Sequence, residues 1–139
     1  MEEKEQKMQE LYLEYQSLEQ QIRQLQNQLE SLTQQMLELS STSSSLDEFK
    51  SVQAGKEVFV PLSSGIFAKA TIQDTSELLV NVGANVVVKK DVQSTKKLLQ
   101  NQVEEIRKVQ KRMISELEAM ASRAAKLETE LQNLAGQQQ

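Results

Sequence analysis

The chain has few residue types that could carry out chemistry. Cys and His are both absent, which leaves no thiolate or imidazole for a zinc site and removes the commonest general base. Two acids, Asp74 and Glu77, stand beside predicted turns without a partner base, and single exposed acids in such places usually form turns. Gly65 and Gly83 stand alone, without the spaced glycines and Lys-Ser/Thr of a phosphate-binding loop. We therefore predict no enzymatic activity, no cofactor and no metal.

Four cations form the one basic cluster of the chain: Arg107, Lys108, Lys111 and Arg112. Nucleic-acid binding needs more cations than these, together with aromatic side chains for stacking. Only 4% of the residues are aromatic. No nucleic-acid partner is predicted, and the cluster is interpreted as a solvated helix face.

Nothing in the sequence predicts a membrane segment. No charged-then-apolar signal sequence opens the chain, and no apolar run approaches the roughly 18 residues needed to span a bilayer. A soluble protein in the cytoplasm is expected, without a membrane partner.

Two runs of apolar side chains, spaced alternately three and four residues apart, indicate the main secondary-structure elements of the chain. The first run consists of Met8, Leu11, Tyr15, Leu18, Ile22, Leu25, Leu29, Leu32, Met36, Leu39 and, in the same register, Leu46. The second consists of Val92, Leu99, Val103, Ile106, Met113, Leu117, Met120, Ala124, Leu127, Leu131 and Leu134, interrupted by polar Lys96 and Gln110. Such spacing makes a narrow seam along a helix, so both runs predict coiled-coil helices.

The two helices are expected to cover about residues 4–50 and 91–136. Asp91 is a good N-cap, and Gly136 can adopt the left-handed conformation that ends many helices. Ser43 occupies a seam position within a polar stretch of the first helix, where a local loosening or bend is expected.

Charge and length together predict how the helices pair. Residues 1–50 carry a net charge of −6 and the remainder +2, which mildly favours pairing of one helix with the other. Equal lengths joined by a compact connection predict an antiparallel pair within one chain. Val92 would then lie near Leu46, and Leu134 near Met8.

Between the helices, four strand-like segments form two predicted β-hairpins. The segments are 57–62, 66–72, 78–82 and 86–89, with turns at 63–65 and 83–85 and a connecting turn at 74–76. Apolar side chains alternate onto both faces of some strands, and a lone hairpin cannot bury both. We therefore expect obligate oligomerisation, in which several subunits merge their strands into a barrel. A private mini-sheet packed on the coil end is the alternative.

The residues expected to make the intersubunit contacts are Val58, Val60, Leu62, Ile66, Ile72, Leu78, Val80, Val82, Val86 and Val88. The predicted fold class is α+β, mainly α. It consists of a long antiparallel two-helix coiled coil joined by two β-hairpins that assemble into an intersubunit β-barrel.

The run VPLSSGIFAKATIQDTSELLVNVGANVVVKK, set between two coiled-coil helices, resembles the alpha-type subunit of the prefoldin family over essentially the whole chain. The residues that carry the resemblance are Val60, Pro61, Leu62, Gly65 and Phe67 in the first hairpin and Val80, Val82, Gly83 and Lys90 in the second. Two hairpins, rather than one, mark the alpha type. The sequence departs from the family pattern at Ala70 and Asn85, where glycine is common, and at Lys89, where glutamate is common. Asn85 tolerates the left-handed conformation best after glycine, so the turn is expected to survive.

The resemblance implies a hexamer of two alpha-type and four beta-type subunits, with a double β-barrel platform and six coiled coils. It also implies ATP-independent capture of unfolded polypeptides and their delivery to a group II chaperonin. One domain over residues 1–139 is expected, with coiled-coil helices in 1–50 and 91–139 and the oligomerising hairpins in 51–90.

Unfolded polypeptides are expected to bind at the free end of the coil, because fraying there uncovers apolar residues that are buried elsewhere along the seam. The candidate contact residues are Met8, Leu11, Tyr12, Leu13 and Tyr15 on the first helix and Leu127, Leu131 and Leu134 on the second. Ordinary seam packing explains most of these equally well, but not Tyr12 and Leu13, which lie off the seam. The alternative function is a coiled-coil structural adaptor without client binding.

Overall fold

Two long helices dominate the computed structural model, which describes residues 2–136. Helix α1 covers Glu2–Lys50 and helix α2 covers Val92–Gly136, so both predicted helices are confirmed to within two residues at each end. Acidic side chains lie in the first turn of α1 and Lys50 in its last, where each charge is favourable to the helix dipole. Residues 1 and 137–139 of the predicted domain lie outside the described part.

Asp91 is the N-cap of α2, as predicted. Its Oδ1 accepts a hydrogen bond from the Ser94 amide at 2.7 Å, which satisfies one of the unpaired donors of the first turn. The Asp91 carbonyl accepts a second bond at 2.7 Å from the hydroxyl of buried Thr95. Helix α2 ends at Gly136, as predicted. Gly136 is not among the glycines with positive φ, so the left-handed conformation that it permits is not used.

The chain divides into two compact units. One unit combines residues up to Gln35 with residues from Ile106 onwards. In this unit Arg123 of α2 contacts Glu14 of α1, and Gln110 Nε2 donates to Thr33 Oγ1 at 3.2 Å. Since the later residue of α1 contacts the earlier residue of α2, the helices run antiparallel here, as predicted.

The seam of this unit forms a thin core. Leu11 and Leu25 are buried, and Leu127 is completely buried, with 0% of its surface exposed. The other seam leucines and isoleucines are half-buried, as expected for two helices that have one shared face and otherwise contact solvent.

The second unit covers residues 36–105 and contains the remaining helical turns and the strands. Lys96 Nζ lies 2.6 Å from Asp47 Oδ1, so the last turns of α1 contact the first turns of α2 in this unit. Val92, the first residue of α2, is 4% exposed. Lys96 interrupts the predicted seam because its charge has a partner on the other helix.

Helix α1 continues without a break through the polar stretch at residues 40–45. Two hydroxyls there donate to carbonyls one turn back, Thr42 to Glu38 at 2.8 Å and Ser45 to Ser41 at 3.1 Å. Ser43 occupies a half-buried position. The expected loosening does not interrupt the helix, since hydroxyl bonds to the carbonyl four residues back bend a helix without ending it.

The strands form two separate two-stranded antiparallel sheets. Strand β1 covers Glu57–Ser63, β2 covers Ile66–Thr71, β3 covers Leu78–Gly83 and β4 covers Val86–Lys90. Ile72 lies just beyond β2. Its amide still donates a hydrogen bond, at 3.0 Å, to the carbonyl of Lys56, the residue before β1. Both predicted hairpins are confirmed.

The second hairpin repeats the register of the first at an interval of 20 residues. Phe59 pairs with Lys69, and Leu79 pairs with Lys89. Each ladder also shifts by one residue just before its turn, between Pro61 and Ser63 and at the equivalent place in β3. The two hairpins therefore share one strand register.

The turns of the two hairpins use different residues for positive φ. Gly65 has φ 78° in the first turn. In the second, Ala84 has φ 51° and Asn85 has φ 60°, both in the left-handed region that a type I′ turn requires. The expectation for Asn85 is confirmed, whereas Ala84 adopts a conformation that disfavours any residue with a Cβ atom.

These elements confirm the predicted fold class of two long helices and two small antiparallel hairpins, mainly helical. Among the residues described, no helix is both long and apolar enough to cross a membrane.

Candidate functional sites

The coil tip, defined as residues 8–15 and 127–134, contains all the candidate client-binding residues. Leu11 and Leu127 are buried, while Met8, Tyr15, Leu131 and Leu134 are half-buried. Tyr12 and Leu13 are 54% and 64% exposed. Of the eight candidates, these two are therefore accessible without any opening of the helix pair.

Polar contacts cross the seam beside these exposed residues. Arg123 donates from Nε to Glu14 Oε1 at 3.0 Å and from Nη2 to Glu14 Oε2 at 3.3 Å, a two-point geometry specific to the guanidinium group. The hydrogen bond to Glu14 and its negative charge raise the pKa of Arg123. Hydrogen bonding to Glu19, one turn further along α1, raises the pKa of the Tyr15 hydroxyl.

A shallow groove next to the tip was not predicted. Ala121, Ala124 and Ala125 of α2 line it together with Tyr15 and Ile22 of α1. Small side chains on one helix opposite large ones on the other leave this surface recessed. The run of alanines in α2 was the sequence signal, but the pairing register was needed to show what lies opposite them.

One face of each hairpin is partly covered and the other is open. Since side chains alternate along a strand, residues 58 and 60 share a face, and so do residues 78 and 80. Of the predicted oligomerisation residues, five are half-buried: Val58, Ile72, Leu78, Val80 and Val88. The other five are exposed: Val60, Leu62, Ile66, Val82 and Val86.

The opposite faces carry apolar residues that the list of predicted contacts omitted. Phe59 is 70% exposed and Leu79, its counterpart 20 residues later, is 73% exposed. Phe67 and Val87 are also exposed and lie on the return strands, two residues before Lys69 and Lys89, the pairing partners of Phe59 and Leu79. The period-two alternation already indicated apolar side chains on both faces, but the predicted contact residues did not include these four.

Salt bridges flank both open faces at equivalent positions. Lys69 Nζ lies 2.9 Å from Glu57 Oε2, and Lys89 Nζ lies 4.0 Å from Glu77 Oε2. All four side chains are more than half exposed, so these pairs add little to stability. They give each exposed apolar face a polar border instead.

The acids near the turns have structural partners. Asp74 Oδ1 accepts hydrogen bonds from the Ser76 hydroxyl at 2.7 Å and from its amide at 2.9 Å, and these bonds lower the pKa of Asp74. Bonds from Ser94 likewise lower the pKa of Asp91. A general acid needs a raised pKa, so both carboxylates suit capping better than proton transfer. Within residues 2–136, no group of three or more acidic side chains is arranged to hold a metal ion.

Comparison with known proteins gives one family and one fold. The family model described as prefoldin subunit matches residues 18–137. The chain is similar to a filamentous PFD from Methanocaldococcus jannaschii solved by cryo-EM, with a TM-score of 0.79 and 17% sequence identity. The match covers 86% of this chain and 98% of that one. No curated protein sequence matches the chain.

Proposed function

The chain belongs to the prefoldin family, a family of chaperone subunits, and we propose that it is an ATP-independent holdase subunit. In this proposal the coil tip binds unfolded polypeptides, the clients, and passes them to a group II chaperonin. The subunit works in the cytoplasm, has no catalytic activity and acts as one domain over residues 1–139, with its helices flanking the hairpins of residues 51–90.

The exposure of Tyr12 and Leu13 is the observation that carries the client-binding proposal. Neither side chain belongs to the seam, so neither is needed to hold α1 and α2 together. Nearby Met8 is half-buried, and its unbranched, polarisable side chain adapts to irregular apolar partners. Fraying of the last turns would add Leu131 and Leu134 to the same surface.

Weak binding at each tip suits a holdase. Covering about 200–300 Å² of apolar surface would contribute about 5–8 kcal/mol before the costs of association and ordering. Little affinity then remains for a single tip. Several tips on one assembly raise the effective concentration, so a long client is held by many weak contacts and released stepwise.

Assembly through the hairpins is the second part of the proposal. Exposed apolar side chains lie on both hairpins, including Phe59 and Leu79 on their open faces, and two-stranded sheets with free edges are marginal alone. We propose that the hairpins join a β-barrel platform in a hexamer of two alpha-type and four beta-type subunits, in which this chain is an alpha-type subunit.

The test of client binding uses Tyr12→Ser/Leu13→Ser in the assembled complex. Light scattering of a chemically denatured enzyme after dilution measures suppression of aggregation. We expect suppression to be lost, because the accessible apolar surface is removed. Leu37→Ser is the matched control, since Leu37 is 61% exposed on the same helix but outside the tip, and it should retain suppression. Equal suppression by both variants would reject the tip as the binding site.

The adaptor alternative is supported by the burial of Leu11 and Leu127, which closes the centre of the tip. It expects no aggregation suppression even from the unmodified complex. Assembly is tested separately with Phe59→Ser/Leu79→Ser by native mass spectrometry, alone and with candidate partner subunits. We expect smaller species than the unmodified chain forms, whereas an unchanged mass distribution would contradict the role of these faces.

A further inference from the structure

The basic cluster of α2 lies in the first of the two compact units. Arg107 and Lys111 are four residues apart, as are Lys108 and Arg112, so each pair stacks along the helix surface. All four side chains are exposed. The cluster therefore concentrates positive charge on one part of a chain whose net charge is −4.

Helix α1 offers no compensating charge opposite the cluster. The hydrogen bond between Gln110 and Thr33 fixes the register, and residues 31–35 around Thr33 are Ser, Leu, Thr, Gln and Gln. Elsewhere in this unit the cross-helix contact does pair opposite charges, Arg123 with Glu14. The cluster therefore faces a neutral stretch of its own partner helix.

Acids on α2 itself leave three of the cations unpaired. Glu104 and Glu105 precede the cluster, and Glu116 and Glu118 follow it. Among the described residues, no ion pair within 4.0 Å involves Arg107, Lys111 or Arg112. These three charges remain available to a partner.

An exposed apolar residue extends the same stripe. Ile114 lies three residues after Lys111, on the same side of the helix, and is 47% exposed. Single exposed apolar residues are common on protein surfaces, but an isoleucine beside three cations gives a partner an apolar contact within the charged surface. No aromatic residue occurs from 100 to 120 for base stacking, and one isoleucine is too little apolar area for a lipid surface.

We propose that Arg107, Lys111, Arg112 and Ile114, here called the cationic patch, form a docking surface for an acidic protein segment that carries an apolar side chain. Carboxylates of the segment would pair with the three cations, and its apolar side chain would cover Ile114. The patch is separate from the tip and the hairpins, so this interaction is additional to client binding and assembly. Because the charges are exposed, the binding is fast, weak and sensitive to salt.

Fluorescence anisotropy tests the proposal with a labelled 16-residue peptide of glutamates and two leucines, added to the full chain in its assembled form. The patch variant is Arg107→Gln/Lys111→Gln/Arg112→Gln, which keeps good helix formers. The control, Lys56→Gln/Lys97→Gln/Lys126→Gln, removes the same charge from other exposed positions. We expect about tenfold weaker binding for the patch variant, from three exposed pairs, and about unchanged binding for the control.

The Ile114 variant and the alternative ligands test the remaining parts of the proposal. Ile114→Ser should weaken binding several-fold even in high salt, and unchanged affinity would overturn the apolar part of the proposal. An equal loss of peptide affinity in the patch variant and the control would show that the peptide responds to overall positive charge, and this result would overturn the proposed site. Absence of peptide binding at low salt would overturn the proposal, as would tighter patch-dependent binding of poly-uridylate RNA or of phosphatidylserine vesicles. Because aggregation suppression depends on the tip, the patch variant should retain it, which separates this proposal from the proposed function.

Discussion

Glu14 and Arg123 form the paired hydrogen bonds that join α1 to α2 directly beside Tyr12 and Leu13. Both charged side chains are close to half exposed, so their direct contribution to stability is small. Because the contact crosses the seam at the tip, we expect it to reduce how often the helix ends separate and therefore how much of the seam becomes accessible to a client.

Arg123→Gln should loosen the tip. We expect faster amide hydrogen exchange in residues 8–15, because the helix ends open more often, and stronger suppression of client aggregation, because Leu11 is exposed for more of the time. The charge-reversed pair Glu14→Arg/Arg123→Glu should restore slow exchange. Unchanged exchange in Arg123→Gln would mean that seam packing alone holds the tip.

Leu127→Ala should be among the most destabilising single changes in the chain. Removal of a completely buried leucine costs about 2–5 kcal/mol through lost apolar burial and the cavity left behind. Urea denaturation at one protein concentration measures this. Leu37→Ala, at an exposed site, should change the free energy of unfolding by less than about 0.5 kcal/mol. Similar values for the two would contradict the assignment of Leu127 to the core.

Gln110→Leu should stabilise the helix pair. Gln110 is half-buried at a seam position, and its bond to exposed Thr33 is long at 3.2 Å, so an apolar replacement gains about 1 kcal/mol. The gain should appear as a higher urea midpoint. Polar residues at seam positions also fix register, so cross-linking of cysteines placed on the two helices should show more than one register in the variant. A lower midpoint would show that the hydrogen bond outweighs the apolar gain.

Asp91 should make stability depend on pH at the acidic end. Bonds from Ser94 lower its pKa in the folded state, so folding favours the carboxylate. That stabilisation is present above the pKa of an unfolded aspartate, about 3.9, and is lost as the pH falls through the lower folded-state value. Denaturation of Asp91→Ala and of the unmodified chain should therefore differ at neutral pH and converge in strong acid. A difference that persists in strong acid would exclude the charge as its source.

Ala84→Gly should strengthen the second hairpin. The left-handed conformation costs a residue with a Cβ atom about 1–2 kcal/mol, while glycine loses more entropy on folding, so a net gain of about 0.5 kcal/mol is expected. Ala54→Gly provides the control, because Ala54 is exposed and does not have positive φ, and it should be neutral or destabilising. Thermal denaturation of the assembled protein compares them, and a loss of stability in Ala84→Gly would contradict this account.

Local patterns were enough to predict the elements, because each depends on nearby residues. The three-four spacing gave both helices, and Asp91 was found as the N-cap from its residue type alone. The period-two runs gave both hairpins, with Ile72 placed one residue too far into β2. Gly136 shows the limit of such signals, since a glycine permits a left-handed end but does not impose one.

Contacts between the helices required the structure. Lys96 and Gln110 stand out in the sequence only as interruptions of a seam, and the structure shows that each has a partner, Asp47 and Thr33. The charge balance predicted that α1 and α2 attract each other but not which side chains meet. The exposure of the tip candidates also required the structure. Heptad position alone could not distinguish buried Leu127 from half-buried Leu131.

Because the two hairpins share one register, one hairpin can be exchanged for the other. Transplanting residues 57–70 into the place of 77–90, which leaves the N-cap Asp91 unchanged, would keep the cross-strand pairs from 78 to 90 in register, because ladder shift and turn length recur. The side chains would change, and phenylalanines would replace Leu79 and Val87. The side chains of one hairpin can therefore be changed while the pairing of its strands stays the same.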